Sequence, residues 1–161
     1  MKIVVCSRSA VSRKTTQHSV THVLSLLDPG KTPYLHPHTN RQNWLLLHFE
    51  DNLEEHEKNS PTREHVARIL EWGQTIPDDA VVLVHCEAGV SRSTAAALAL
   101  LVQKHGIDKI DECIQLLLEV RPVACPNKLI AKFADEQLGC EGKLLIASEK
   151  IANDKIFKFL K

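Results

Sequence analysis

No excess of either charge marks this chain: 20 Lys and Arg stand against 20 Asp and Glu, and the pI is near 7.1. Such a balance gives no extended basic face, so neither nucleic acid nor an anionic membrane is an expected partner. Long hydrophobic runs are missing as well. The longest, Ala95–Val102, is far short of the roughly 20 residues that a spanning helix needs. Met1–Ala10 holds one Lys and a four-residue apolar run, too short for a signal peptide. There is no internal repeat and no low-complexity tract. The five Cys are odd in number and scattered, which argues against a disulfide framework and for a reduced, cytoplasmic setting. What remains is a chain of 161 residues, 43% hydrophobic, expected to fold as one domain over residues 1–161.

The most informative stretch is Val81–Ser93, reading V-V-L-V-H-C-E-A-G-V-S-R-S. Its apolar start is short and β-branched and reads as a buried strand. From Thr94 to Val102 the chain turns into a small-residue helix, closed by Lys104, His105 and Gly106. A strand, a Gly-containing loop and a helix start make an anion cradle, because backbone N–H groups and the positive end of the helix dipole converge there.

Further strands are expected at Ile3–Cys6, Val23–Leu27 and Leu45–Phe49, and the strand before the loop, Ala80–Val84, is the fourth. Asp28-Pro29-Gly30 is a turn, residues 29–43 read as an exposed loop, and Glu50–Asn59 as an acidic one. Ser7–His22 is polar and carries no clear period. Ser60 as N-cap and Pro61 at the first helical position open a helix with Val66, Ile69, Leu70, Gly73 and Ile76 on one face. Asp108 caps another, with Ile110, Cys113, Ile114, Leu117 and Leu118 inward. Pro126 starts a further helix through Leu138, with Leu129, Ile130, Phe133 and Gln137 on one face. Gly142–Lys161 is either an amphipathic helix on the domain or a loose end. Alternating strands and helices give an α/β class: a small, largely parallel central sheet of four to five strands flanked by helices.

Cys86 is the candidate nucleophile, since inward N–H groups, a helix N-terminus and Arg92 all favour its anion. Arg92 offers a planar fork for two phosphate oxygens, and a cation at a helix N-terminus makes sense only opposite an anion. Ser93 is placed to donate to the Cys86 sulfur. His85, at a strand end, reads as a positioning residue rather than a base.

His85-Cys86-Glu87-Ala88-Gly89-Val90-Ser91-Arg92-Ser93 resembles the H-C-x-x-G-x-x-R-[ST] loop of the cysteine-dependent protein tyrosine phosphatases. Arg121-Pro122, Pro126-Asn127 and Gln137-Leu138 resemble the segment that follows this loop in dual-specificity phosphatases. The resemblance covers about Leu45 to Leu138. It implies a protein tyrosine phosphatase-like fold, a phosphate-binding loop of Glu87, Ala88, Gly89, Val90, Ser91 and Arg92, and a loop-bracing role for Asn127. It also implies a general acid upstream, which falls on Asp51, 35 residues before Cys86, with Glu50, Glu54 and Glu55 as rivals in the same loop. The reaction implied is phosphomonoester hydrolysis through a phosphocysteine, with no metal or cofactor. His36 and His38 flank Pro37 without supporting ligands and read as loop histidines.

Glu87, beside the nucleophile, is expected to repel polyanionic substrates, so a phosphoprotein or a simple phosphomonoester is favoured. A phosphatase of small metabolites and a non-catalytic phosphate-binding module remain as alternatives. So does a sulfurtransferase-like or arsenate-reducing thiol enzyme, which would need a resolving Cys. Oligomeric state is not encoded in any of these features.

Overall fold

The computed structural model describes residues 1–34 and 40–159, the last five of these by backbone alone. Four runs of branched and aliphatic residues form one parallel sheet in which two strands are interior. The strands are β1 (Lys2–Ser7), β2 (His22–Leu27), β3 (Trp44–His48) and β4 (Val81–Cys86), in the order β1-β4-β2-β3. All four lie where the apolar runs put them. β4 is paired on both sides, with Ser7 opposite Cys86 and Ser25 opposite His85. Burial on both faces explains its unbroken Val-Val-Leu-Val sequence. Parallel pairing brings the carboxyl ends of the strands to one edge, where ligands bind in open α/β sheets.

Six helices flank this sheet: α1 (Val11–His18), α2 (Arg63–Gln74), α3 (Arg92–His105), α4 (Ile110–Val120), α5 (Lys128–Leu138) and α6 (Lys143–Phe159). A small cluster of Val4, Cys6, Val11, Val23 and Leu83 lies between α1 and one face. The large core on the other face draws on α2 to α6 and on Ile3, Val5, Leu24, Leu26, Val82 and Val84. The central α3 is buried continuously from Arg92 to Val102. Its Ala95–Ala97 run allows close approach, while Leu98 and Leu100, each 1% exposed, contribute about 1.5–3 kcal/mol apiece by burial.

Several boundaries differ from expectation. α1 lies in the polar Ser7–His22 stretch and buries only Val11 and Thr15, too little apolar surface to leave a periodic signal. Ser60 does not cap α2; its Oγ donates to the Glu54 carbonyl at 2.7 Å. The cap is Thr62, whose Oγ1 accepts from the His65 N–H at 3.2 Å while His65 Nδ1 accepts from the Thr62 N–H at 3.1 Å. That is a capping box with His in the usual Glu position. Asp108 sits in a 3-10 turn, Ile107–Lys109, and α4 begins after it without a side-chain cap. Likewise α5 begins at Lys128 rather than Pro126, and Gln137 is exposed. Ile76 lies past the end of α2 but remains buried. The C-terminal stretch is helical, with Leu144, Ala147 and Ile151 in the main core.

Candidate active site

The loop from β4 to α3 folds tightly against the end of β1. Gly89 has φ +69°, and a Cβ there would lie 2.4 Å from the Cys6 carbonyl carbon and 2.6 Å from the Ser7 nitrogen. Both the left-handed backbone and the close approach require glycine. Arg121 ties the loop down from outside: its Nε donates to the Gly89 carbonyl at 2.7 Å and its Nη2 to the Ala88 carbonyl at 3.1 Å. With those carbonyls engaged, the N–H on the other side of each trans peptide is turned away from Arg121. One of them, Gly89 N–H, donates to Cys86 Sγ at 3.2 Å. Ser93 Oγ also lies 3.2 Å from that sulfur. Cys86 is 2% exposed, and these two groups are the hydrogen-bond partners of its sulfur among the described residues.

Arg92, 3% exposed, donates from Nη1 to Asp28 Oδ1 at 2.7 Å and to the Phe49 carbonyl at 2.6 Å. Its Nε has no hydrogen-bond partner among the described residues. A buried guanidinium with an unused donor is costly, unless an anion completes it. Asp28 ends β2 at the same sheet edge as Cys86, and Lys31 Nζ lies 3.7 Å from its other oxygen.

Asp51 is joined to the loop directly. Its Oδ1 accepts from Ser91 Oγ at 2.7 Å and from Asn127 Nδ2 at 2.8 Å. The other acidic candidates are engaged elsewhere: Glu50 with Asn59, Glu54 with Lys128, and Glu55 with Lys132 and Arg63. Among the described residues, Asp51 alone of the four is hydrogen-bonded to the β4–α3 loop. Asn127 does more than brace that loop. Its backbone N–H reaches the Ser91 carbonyl at 3.3 Å and its Nδ2 also donates to the Asn52 carbonyl at 3.0 Å. Meanwhile its Oδ1 caps α5 by accepting from Leu129 and Ile130 N–H, both at 3.0 Å.

Burial pushes the His85 imidazole down to about 4, opposed by its contact with the Cys86 backbone, so the ring is neutral near pH 7. Trp44 Nε1 donates to Ser25 Oγ at 3.0 Å, and Ser25 Oγ lies 2.6 Å from His85 Nε2. The indole can only donate, so Ser25 Oγ accepts from Trp44 and joins it to the His85 ring.

Glu87 departs from its expected effect. Its carboxylate lies 3.8 Å from Arg8 Nη1 and 3.5 Å from Lys31 Nζ, so its charge is offset rather than free to repel a polyanion. Arg8 also donates from Nε and Nη2 to the Thr32 carbonyl and lies 4.5 Å over the Tyr34 ring. Sequence reasoning missed Arg8, Lys31 and Arg121 as loop supports and Asp28 as the partner of Arg92. For Asp28 a signal existed: a carboxylate at the carboxyl end of the strand beside β4.

All five thiols are free. Burial pushes Cys6 and Cys140 up to about 11 and raises Cys113, which makes these three poor nucleophiles at neutral pH. Cys125 N–H donates to the Val90 carbonyl at 2.9 Å. His36 and His38 lie outside the described residues, and among those described no group of three potential metal ligands occurs.

Residues 3–136 match the family described as dual specificity phosphatase, catalytic domain. The chain belongs to this family. Among curated family members, it is 30% identical over 112 residues to mouse dual specificity protein phosphatase 19, covering 69% of this chain and 46% of that protein. It is 46% identical over 46 residues to mouse dual specificity protein phosphatase 2, covering 29% and 14%. The chain thus spans less than half the length of these curated relatives. Human DUSP28 superposes with a TM-score of 0.66 at 19% identity, over 86% of this chain and 92% of that one. PTP-2 phosphatase of Cydia pomonella gives 0.64 at 21%, over 84% and 85%. At those identities the two structures establish the shared phosphatase-like fold.

Proposed function

We propose that this chain hydrolyses phosphate monoesters of proteins through a phosphocysteine intermediate. The observation that carries the proposal is the convergence of four groups on one loop. Cys86 sits under the Gly89 N–H and Ser93, Arg92 is buried with Nε unpartnered among the described residues, and Asp51 is hydrogen-bonded to Ser91. Family membership supports the reaction, and relatives named as protein phosphatases support proteins over metabolites as substrates.

In the first step the Cys86 thiolate attacks phosphorus. A P–S bond forms, the ester P–O bond breaks, and the leaving oxygen takes a proton from Asp51. Arg92 Nε and the loop N–H groups hold the non-reacting oxygens as charge builds on them. In the second step water attacks phosphorus and gives a proton to Asp51. The P–S bond breaks and the Ser93 hydroxyl stabilises the departing thiolate. A reduced, cytoplasmic setting is part of the proposal and is supported by the five free thiols.

A pH–rate profile on a synthetic aryl phosphate tests it. Cys86→Ser is expected to remove turnover, and Asp51→Asn to lower it by about 10²–10⁴-fold with loss of the basic limb. Equal activity of Cys86→Ser and wild type would overturn the mechanism. An unchanged profile in Asp51→Asn would move the proton donor to another carboxylate.

A further inference from the structure

Beside the loop, and distinct from the cradle, a groove of about 1600 Å³ runs between α4 and α6. Its floor is apolar, formed by Ile114, Leu118 and Val123 on one side and Ile146, Ala147 and Ile151 on the other. Val123 is 50% exposed and Ile146 64%, a large exposure for such side chains. At one end the groove reaches Val90, a residue of the phosphate-binding loop, and Cys125, whose N–H holds the Val90 carbonyl. The groove therefore ends beside the cradle.

In the lining carboxylates outnumber lysines four to two, and three of the four stand at the other end. Asp108 lines the groove from the 3-10 turn before α4, Asp111 and Glu112 from the first turn of α4, and Asp154 from α6, against Lys143 and Lys150. Glu112 has Lys109 at 4.0 Å, whereas Asp108 and Asp111 form no ion pair among the described residues. α4 has 11 residues, so at 1.5 Å per residue the acidic end lies about 16 Å along the groove from its Pro122 end. An extended peptide covers that in about five residues, at roughly 3.3 Å each.

From this polarity we infer that the groove docks a segment of the substrate protein that is apolar next to the phosphorylated residue and basic five to seven residues away. The inference rests on the phosphatase reading above and deepens it by assigning a substrate class. Apolar burial supplies affinity along the α4–α6 floor, and Asp108 and Asp111 select basic over acidic partners by attraction and repulsion. The occupant is a substrate segment rather than a second copy because the groove ends against Val90 of the loop that would hold the phosphate.

Three phosphotyrosine peptides with one core provide the test: an apolar–basic extension, an apolar–acidic extension, and none. The apolar–basic peptide is expected to show at least a tenfold lower KM than the other two, with similar kcat. Asp111→Lys and Ile146→Glu, both at exposed positions, should abolish that advantage and leave kcat/KM on an aryl phosphate unchanged. Fluorescence anisotropy of the unphosphorylated apolar–basic peptide reports docking independently of turnover. Binding by wild type that Asp111→Lys weakens, without aryl phosphate turnover, would sustain the docking site and overturn the phosphatase reading. Equal KM for all three peptides with normal aryl phosphate turnover would overturn the docking site alone. So would a self-association in sedimentation that Ile146→Glu abolishes while peptide KM values stay equal, which would assign the groove to a second copy.

Discussion

Arg92 is aimed by a carboxylate that no motif includes. Asp28 holds Nη1 from the neighbouring strand end, and together with the Phe49 carbonyl it fixes the guanidinium plane. Asp28→Asn removes the charge of a pair whose Arg side is 4% exposed. We expect kcat/KM on an aryl phosphate to fall about tenfold or more, consistent with the 1.5–3 kcal/mol of a charge-assisted bond. Inhibition by inorganic phosphate should weaken in parallel; an unchanged inhibition constant would show that Arg92 is positioned without Asp28. His85 gives a second prediction, in stability. Unfolded, it binds a proton near 6.5; folded, only near 4. Between these values the unfolded state carries more protons, so its contribution is intact above about pH 6.5 and is lost as pH falls toward 4. The loss amounts to on the order of 3 kcal/mol. Burial lowers His22 and His65 as well, so their effect has the same sign. Urea denaturation at pH 7 and pH 4.5 should show a smaller acid loss in His85→Gln than in wild type; equal losses would remove His85 as a cause.

At the level of elements, the strands were legible and the caps were not. Val81–Cys86 and Val23–Leu27 announce themselves because interior parallel strands are apolar on both faces. A cap is one or two side-chain bonds, and Ser60 and Asp108 look as suitable from sequence as Thr62 and Asn127. The site divides in the same way. Cys86, Gly89, Arg92 and Ser93 stand at fixed spacing within one turn of chain, so their chemistry could be read. Asp28, Arg8 and Arg121 reach the loop from other elements, and only the tertiary fold makes them neighbours. Asn127 belongs to both categories, since it caps α5 through Oδ1 and holds Asp51 through Nδ2. Asn127→Asp keeps the acceptor for the cap but replaces the donor with a carboxylate facing Asp51. Its melting temperature should stay closer to wild type than that of Asn127→Ala, whose lost cap costs about 1 kcal/mol. Turnover should fall in both variants. A full-activity Asn127→Asp would dissociate Asn127 from the placement of Asp51.

For the whole molecule, the question is whether α6 is an appendage or part of the fold. Leu144, Ala147 and Ile151 belong to the same core cluster as Val84 and Leu98. The start of α6 is also fixed by a buried residue of α5: Asp135 accepts at Oδ1 from Gly142 N–H and at Oδ2 from Leu144 and Leu145 N–H, at 2.8 to 3.2 Å. Three otherwise unsatisfied donors and a favourable helix dipole are thereby met by one carboxylate. Such coupling requires α6 to melt with the sheet. Trp44, bonded to Ser25 on β2, and Trp72, edge-on to His22, report the sheet by fluorescence, whereas far-UV circular dichroism reports the helices. The two thermal transitions should coincide in wild type. Asp135→Ala should lower both together, by about 4–8 °C for a loss near 2 kcal/mol in a chain of this size. An early loss of helical signal with the fluorescence transition unmoved would make α6 a separately stable addition. The groove that α6 walls would then open before the cradle does.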